Sequence, residues 1–267
     1  MTTRSWPDDV ASGEDEASLN ARDPFPRLRL STEREKGSKA VLPPVAIVWP
    51  CALSVDAYAS FGKNVEVPRP DCPGCSAAMV FWSGYTRPVR VLGACVRLFV
   101  RRARCRACSV THALLPAFVL AKRLDAVEAV GEAIEAVTEG RSGARPVARA
   151  LDIPHTTVRG WLRRFTGRAG ELAMSFAALA IELGASELSG SPLSGPSSAV
   201  GAIGRAFAGA CALPGWAVLG AWRFCSVVCG GRLLCANTIS PYLVVGRRRF
   251  MAPVPFPDDK EDRTGGT

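Results

Sequence analysis

Two pairs of closely spaced cysteines restrict the folds open to this chain more than any other feature of the sequence. Cys72 and Cys75 lie in DCPGCS, and Cys105 and Cys108 lie in RCRACS. A C-x2-C turn points two thiolates at one position, and two such turns supply the four soft ligands of a closed tetrahedral Zn2+ site. The four cysteines are therefore predicted to bind a structural zinc ion, which leaves no coordination position open for catalysis.

The residues between the two pairs predict a β-hairpin. The interval 76–104 is longer than the usual separation of about 15–20 residues for this pattern. Val80–Trp82 and Val96–Val100 are β-prone runs, and Gly84 and Gly93 lie between them. A hairpin joined to metal-binding turns at both of its ends accounts for the added length.

Unrelated buried thiols and two disulfides are the alternative interpretations of the four cysteines. Disulfides need an oxidising compartment, and the first twenty residues contain no apolar segment of the kind that directs secretion. We therefore expect a zinc site in a cytoplasmic protein. Cys95 belongs to neither pair and is expected in the core, while His112 is expected to pack or to contact phosphate.

Positive charge is concentrated in two segments. The net charge of the chain is +9. Residues 69–110 contain eight arginines and one aspartate, and residues 141–168 contain seven arginines and one aspartate. The segment between them, 121–140, is acidic. Localised basic blocks are typical of a surface that binds a polyanion; the solvated surface of an arginine-rich protein is the alternative.

Apolar periodicity changes to the helical spacing after the hairpin. One helix is predicted over 124–137, with Asp125 as its N-terminal cap. Two shorter helices are predicted at 145–151 and 155–165, and Pro154 lies in the break between them. Two short helices separated by a tight turn are typical of a helix-turn-helix unit.

The apolar side chains of these two short helices are expected to pack together, and the polar ones to face outward. The inner set comprises Val147, Leu151, Ile153, Val158, Trp161, Leu162 and Phe165.

The second helix can enter a major groove of double-stranded DNA, where Arg pairs with guanine edges and Thr contacts phosphate. Its predicted DNA-binding residues are His155, Thr156, Thr157, Arg159, Arg163 and Arg164. On the hairpin, Arg101 and Arg102 are expected to contact the DNA backbone. An ordinary amphipathic helical hairpin is the alternative.

The order of these motifs resembles the DNA-binding front end of bacterial insertion-sequence transposases. The shared features over about residues 45–170 are Cys-Pro-x-Cys, a basic hairpin, Cys-x-x-Cys, an LLP segment and Val-Ala-x-x-Leu-x-Ile-Pro-x-x-Thr-Val-x-x-Trp-Leu. The same motifs, in the same order, are also similar to those of a group of bacterial zinc-ribbon and helix-turn-helix proteins whose function is not established. The resemblance implies that Cys72, Cys75, Cys105 and Cys108 bind zinc, and that residues 156–164 lie on the recognition helix.

The chain departs from the transposase pattern in its second half. Those enzymes continue into an RNase-H-like domain in which three carboxylates hold two divalent metal ions. Residues 188–257 of this chain contain no Asp or Glu. A catalytic carboxylate triad cannot be assembled from that segment, so the chain is predicted not to be an enzyme.

The C-terminal part is predicted to be helical. Residues 184–198 read as a Gly/Ser/Pro linker. Residues 199–222 are apolar and long enough to span a membrane, but Arg205 and Pro214 interrupt them, which favours buried or partner-facing helices. Four further cysteines match no metal-site spacing and are expected to be core residues: Cys211, Cys225, Cys229 and Cys235.

The predicted fold is mainly α with a small β zinc ribbon, followed by a helix-turn-helix bundle and a C-terminal helical region. The predicted segments are a disordered extension (1–44), the zinc ribbon (45–118), the helix-turn-helix unit (119–183), the linker (184–198), the C-terminal helical region (199–250) and a disordered tail (251–267). The predicted function is DNA binding without catalysis, as a nucleoid-associated regulator or mobile-element accessory. The alternative is a protein-interaction module that docks a partner through the ribbon and the C-terminal helices.

Overall fold

The computed structural model describes residues 46–185 and 194–235. Several predicted segments lie outside the described residues: the extension 1–44, residue 45 of the ribbon, residues 186–193 of the linker, residues 236–250 of the C-terminal region and the tail 251–267. All described residues belong to a single compact unit.

The described residues form four β-strands and seven α-helices. The first part contains β1 (Ile47–Trp49), α1 (Val55–Phe61), β2 (Met79–Val91), β3 (Ala94–Cys105) and β4 (Thr111–Pro116). The second part contains α2 (Val127–Thr138), α3 (Ala144–Ala150), α4 (His155–Thr166), α5 (Ala169–Glu182), α6 (Pro196–Ala210) and α7 (Ala221–Val228). The fold is therefore mixed α and β. Its β part is larger than a hairpin because β1 and β4 extend the sheet.

The four strands form one mixed sheet in the order β1-β4-β3-β2. β3 is antiparallel to both of its neighbours, whereas β1 is parallel to β4, with Ile47 opposite Leu114. β2 and β3 make up the predicted hairpin, which is long because β2 continues through Gly84. The ring of Phe99 covers Gly84, and a Cβ there would overlap it.

The hairpin ends in a two-residue turn, Leu92-Gly93. Both residues have positive φ, 45° for Leu92 and 80° for Gly93, as a type I′ turn requires. Cys95 lies just beyond this turn and is exposed. The expectation that Cys95 is a core residue is therefore wrong, because the tip of the hairpin leaves its side chain uncovered.

One hydrophobic cluster lies between the sheet, α1 and the chain that follows β4. Tyr58 of α1 is fully buried in it, and its hydroxyl donates to the carbonyl oxygen of Phe99 at 3.0 Å. The rings of Tyr58 and Phe118 pack edge to face, with centroids 5.4 Å apart. Leu98 and Leu114 from β3 and β4 complete this core.

A second hydrophobic cluster includes residues from all six helices α2–α7. The predicted inner side chains of α3 and α4 belong to it: Val147, Leu151, Val158, Trp161 and Phe165 are buried, and Ile153 and Leu162 are half-buried against them. Trp222 of α7 packs edge to face against Phe165, with ring centroids 6.4 Å apart. The predicted packing of the two short helices is confirmed, and α7 adds to the same core.

The distal half of the hairpin lies against the helical part. The backbone N–H of Arg90 donates to Leu124 O at 2.8 Å, and the N–H of Ala126 donates to Arg90 O at 3.1 Å. At the tip, a Cβ added to Gly93 would lie 2.6 Å from Oδ2 of Asp152, in the turn between α3 and α4. These contacts fix the hairpin relative to α4.

The predicted N-terminal cap of α2 is wrong. Ala126 occupies the cap position, without a side-chain hydrogen bond. The carboxylate of Asp125 accepts from the guanidinium of Arg90 instead, at 2.7 Å. A full charge from the hairpin is a stronger partner for a buried carboxylate than a backbone N–H.

The C-terminal helices are short and packed. α6 lies against α5, and α7 lies against α2 and β1. None of the helices in residues 46–185 and 194–235 combines the length and apolar character that crossing a membrane requires. Of the four C-terminal cysteines, Cys225 and Cys229 are buried as expected, and Cys235 is partly buried. Cys211 is exposed because it follows the end of α6, so the expectation that it is a core residue is wrong.

Candidate metal centre and basic surface

Two turns of similar construction bring the four paired cysteines together. In the turn before β2, the N–H of Cys72 donates to Ala77 O at 2.9 Å. In the turn between β3 and β4, the N–H of Cys105 donates to Val110 O at 2.9 Å. Each turn also has a serine of positive φ directly after its second cysteine. The shared geometry turns the sulfur atoms of both pairs toward one point.

The distances between the four sulfur atoms fit a shared metal ion. The Sγ atoms of Cys72 and Cys108 are 3.6 Å apart, and those of Cys75 and Cys105 are 3.4 Å apart. All four Sγ atoms lie within 4.8 Å of one another. A tetrahedron with metal–sulfur bonds of about 2.3 Å has sulfur–sulfur edges of about 3.8 Å, whereas a disulfide requires about 2.05 Å. The four cysteines therefore form a possible metal site and not two disulfides.

A nearby backbone donor favours the thiolate form of one of these cysteines, Cys105. The backbone N–H of Cys108 points at Cys105 Sγ from 3.5 Å, and this contact is the largest cause that lowers the pKa of the Cys105 thiol to about 6. Nε2 of His112 lies 3.7 Å from Cys72 Sγ, and the imidazole is only 2% exposed. His112 is thus packed behind the cluster, which is one of the two roles expected for it, packing or phosphate contact. Groups of this kind orient and tune metal ligands.

The predicted DNA-binding residues of α4 share one helix, and their exposure differs. Thr156, Arg159 and Arg163 are exposed, whereas His155, Thr157 and Arg164 are partly exposed. Arg164 folds back onto its own helix, where Nη1 donates to Gly160 O at 3.0 Å. Within the part of the chain that the structure describes, Arg159 and Arg163 form no ion pair. Their guanidinium groups are available to a ligand in solution.

The two hairpin arginines differ from each other and lie away from the tip. Arg101 donates from Nη2 to Lys63 O at 2.6 Å, and its guanidinium lies 5.1 Å from the ring centroid of Phe81. Arg102 is half-buried and pairs across the hairpin with Ser83. Both follow the tip by eight or more residues, which is roughly 25 Å along a strand. The structure therefore separates these arginines from the turn between α3 and α4, and Arg101 already has a structural role.

Two basic residues that the sequence analysis assigned to an acidic segment lie beside α4. Lys122 and Arg123 line an open pocket of about 330 Å³ together with Thr156, Thr157, Gly160, Trp161, Arg164, Leu124 and Asp125. Local charge counting missed them because five acidic residues follow them within 121–140. Only the folded chain shows that α4 faces the start of this segment.

The comparisons with known proteins find one family. Residues 72–161 match the model of a family described as a domain of unknown function, DUF6431. No curated protein and no solved structure matches the chain. The matched segment begins at Cys72 and ends inside α4, so it contains the four-cysteine cluster, the hairpin, α3 and the first part of α4. About a third of this chain is therefore similar to DUF6431.

Proposed function

We propose that this chain binds double-stranded DNA through α4 and that a structural Zn2+ holds the base of its hairpin. One observation carries the proposal. Arg159 and Arg163 are four residues apart on the exposed face of a helix whose opposite face is buried against α3 and α7. A supported helix that presents unpaired arginines to solvent has the features of a major-groove reader.

The arrangement of α3 and α4 supports a helix-turn-helix assignment. α3 ends at Ala150 and α4 begins at His155, so the connection has the length of the turn in such units. Asp152 has a φ of 51°, and the N–H of Ile153 donates to Ala148 O at 3.0 Å, which makes the connection tight. The side chains of both helices meet in one core.

The donor set supports zinc as the metal. Four sulfur atoms with no oxygen ligand among them favour a soft ion with tetrahedral coordination. Iron also binds four thiolates, and metal analysis of the purified protein distinguishes the two. A closed set of four protein ligands has no position for substrate, so the ion stabilises the fold and performs no chemistry.

The proposal includes the absence of nuclease and strand-transfer activity. It is supported by the resemblance to the transposase front end together with the lack of any Asp or Glu in residues 188–257. A regulator or an accessory protein of a mobile element, in the cytoplasm and associated with the nucleoid, fits this combination. Divalent-metal-dependent DNA cleavage that one carboxylate substitution abolishes would contradict it.

Salt dependence of duplex binding tests the proposal. Fluorescence anisotropy would measure the affinity of the zinc-loaded chain for labelled duplexes across a range of NaCl concentrations. We expect a steep linear fall of log affinity with log salt, because each phosphate contact releases condensed counterions. Affinity that is weak at low salt and insensitive to salt would remove DNA as the partner.

A protein-interaction module is the second candidate, and exposed apolar side chains favour it. Met174 and Ile181 of α5 are 58% and 57% exposed, and they are seven residues apart, which places them on one helix face. Trp82 in the edge strand β2 is 61% exposed. The same titration separates the two candidates, because an interaction module would bind duplex DNA little or not at all.

A further inference from the structure

A cationic pocket lies between α4 and the segment that follows the sheet. Its volume is about 330 Å³, and it is open to solvent. Lys122, Arg123 and Arg164 contribute positive charge to its lining, and Thr156 and Thr157 contribute hydroxyl groups. The one acidic residue in the lining, Asp125, is already paired with Arg90 at 2.7 Å. The pocket therefore offers several hydrogen-bond donors and a net positive charge.

Arg123 carries a donor that the described residues leave unsatisfied. Its Nη2 donates to Leu234 O at 3.1 Å, which fixes the guanidinium against the C-terminal end of the described chain. Its Nε is buried and has no hydrogen-bond partner in the described residues. A buried donor of a charged group without an acceptor is costly and calls for an explanation. Nε has almost no exposed surface, so a ligand in the pocket cannot reach it, and the contribution of Arg123 to the pocket is its positive charge.

Lys122 has a backbone conformation that residues other than glycine rarely adopt. Its φ is 57°, and strained backbone of this kind concentrates at ligand-binding sites. The side chain is exposed at the rim of the pocket. A lysine here gains nothing for the fold over glycine or asparagine, which tolerate this conformation better. The lysine adds a positive charge at the rim of the pocket.

We propose that this pocket binds one phosphate group, which Lys122, Arg123 and the hydroxyl of Thr156 contact. The inference rests on the proposed function in one respect: the DNA backbone is the source of the phosphate. One phosphate held beside α4 would fix the position of that helix along the duplex, as backbone contacts do in DNA recognition. Free inorganic phosphate has the same chemistry and is the second source that the experiment separates.

Lys122→Gly is the informative variant, because it removes the ammonium group and relieves the backbone strain at the same position. Loss of folding is therefore not an expected outcome, and thermal unfolding verifies this. Lys122→Arg is the matched control that keeps the charge, and Thr156→Val removes the hydroxyl while keeping the shape of the side chain. All variants are made in the full zinc-loaded chain and titrated with a random-sequence duplex at several salt concentrations.

The expected result is a loss of duplex affinity of roughly three- to tenfold for Lys122→Gly, with the salt slope reduced by about one. Lys122→Arg should stay near the wild-type affinity, and Thr156→Val should show a smaller loss. If the wild type binds duplex DNA and Lys122→Gly binds it equally well with the same slope, the phosphate pocket is wrong while the proposed function stands.

The second part of the experiment tests binding of free inorganic phosphate. Thermal unfolding is measured in sodium phosphate and in sodium chloride of equal ionic strength. Should the wild type bind no duplex, the proposed function fails, and this part alone decides the pocket. A higher melting temperature in phosphate that Lys122→Gly abolishes would support a site for the free anion, and the absence of such a difference would overturn the inference.

Discussion

Arg90 in β2 and Asp125, two residues before the start of α2, form the ion pair that fastens the hairpin to the helical part. Nε of Arg90 lies 2.7 Å from Oδ1 of Asp125, and the two side chains are 19% and 7% exposed. Backbone hydrogen bonds from both sides of Asp125 hold the strand at the same place. Because a buried charge is stable only when it is paired, this contact couples the position of the hairpin to that of the helices.

Replacing Arg90 with Ala should therefore destabilise the protein. It leaves the carboxylate of Asp125 buried without a cation, and we expect the free energy of unfolding to fall by about 3 kcal/mol, measured by urea denaturation. Arg97→Ala removes an exposed arginine from the neighbouring strand. This control should change the free energy of unfolding by at most about 0.5 kcal/mol. The double substitution Arg90→Ala, Asp125→Ala should cost less than the sum of the single ones. Equal effects of Arg90→Ala and Arg97→Ala would show that the pair does not stabilise the junction.

A methyl group added at Gly131 should disturb the contact between α2 and α7. The indole of Trp222 covers Gly131, and a Cβ there would overlap the ring. The indole N–H donates to Glu135 Oε1 at 2.9 Å, so displacing the ring also loses this bond. We expect Gly131→Ala to cost about 1–3 kcal/mol of stability, measured as a shift in the urea midpoint.

Gly204 in α6 provides the matched control for that substitution. It lies inside a helix, it is exposed, and nothing would contact an added Cβ within 4 Å. Gly204→Ala should therefore stabilise the protein by roughly 0.5–1 kcal/mol through the lower entropy of the unfolded chain. If both substitutions stabilise, the close approach of Trp222 to α2 is not as described.

Substitution within the cysteine cluster should remove the metal. Cys105→Ser deletes one of four thiolates, and because metal binding and folding are coupled in small sites, the base of the hairpin should also lose its structure. Cys95→Ser, in the same strand but exposed and outside the cluster, should retain the full metal content. Metal analysis and thermal unfolding of both variants give the result. Full zinc occupancy in Cys105→Ser would rule out the site.

The parts of the fold that follow from local sequence patterns could be predicted. The C-x2-C spacing indicated the cysteine cluster because each turn depends on only a few consecutive residues. The inner positions of α3 and α4 followed from helical periodicity, and Val147, Val158 and Phe165 are buried as that periodicity requires. The outward direction of Arg159 and Arg163 is the complement of the same pattern.

The parts that depend on contacts between distant residues could not be predicted. Arg223 of α7 forms an ion pair with Glu128 and donates to Leu53 O, 170 residues earlier in the chain, at 2.8 Å. Nothing in the sequence near Arg223 indicates either partner. The pocket beside Lys122 was missed for the same reason, because its two walls come from segments that sequence analysis treated separately. Asp125 was assigned to a helix cap because its true partner, Arg90, is 35 residues away.

Loss of the α4 arginines should reduce sequence discrimination and not merely affinity. Arg159 and Arg163 lie on one exposed stripe, while Trp161 between them is buried. If the stripe enters the major groove, at least one guanidinium meets a base edge, and its removal should cost about 1–3 kcal/mol at the preferred site and far less on random DNA. The measurement is the ratio of affinities for a duplex selected from a random pool and for the pool itself.

Two further variants distinguish a loss of sequence discrimination from a simple loss of positive charge and from a loss of folding. Arg102→Ala removes a hairpin charge that carries no base information, so it should weaken both duplexes about equally and leave the ratio unchanged. Trp161→Ala empties a core position and should reduce stability by about 3–5 kcal/mol, which circular dichroism during thermal unfolding would detect. Arg159→Ala and Arg163→Ala should unfold like the wild type, because both side chains are exposed. If both variants keep the wild-type ratio, α4 does not read bases, and the interaction module becomes the better account of this chain.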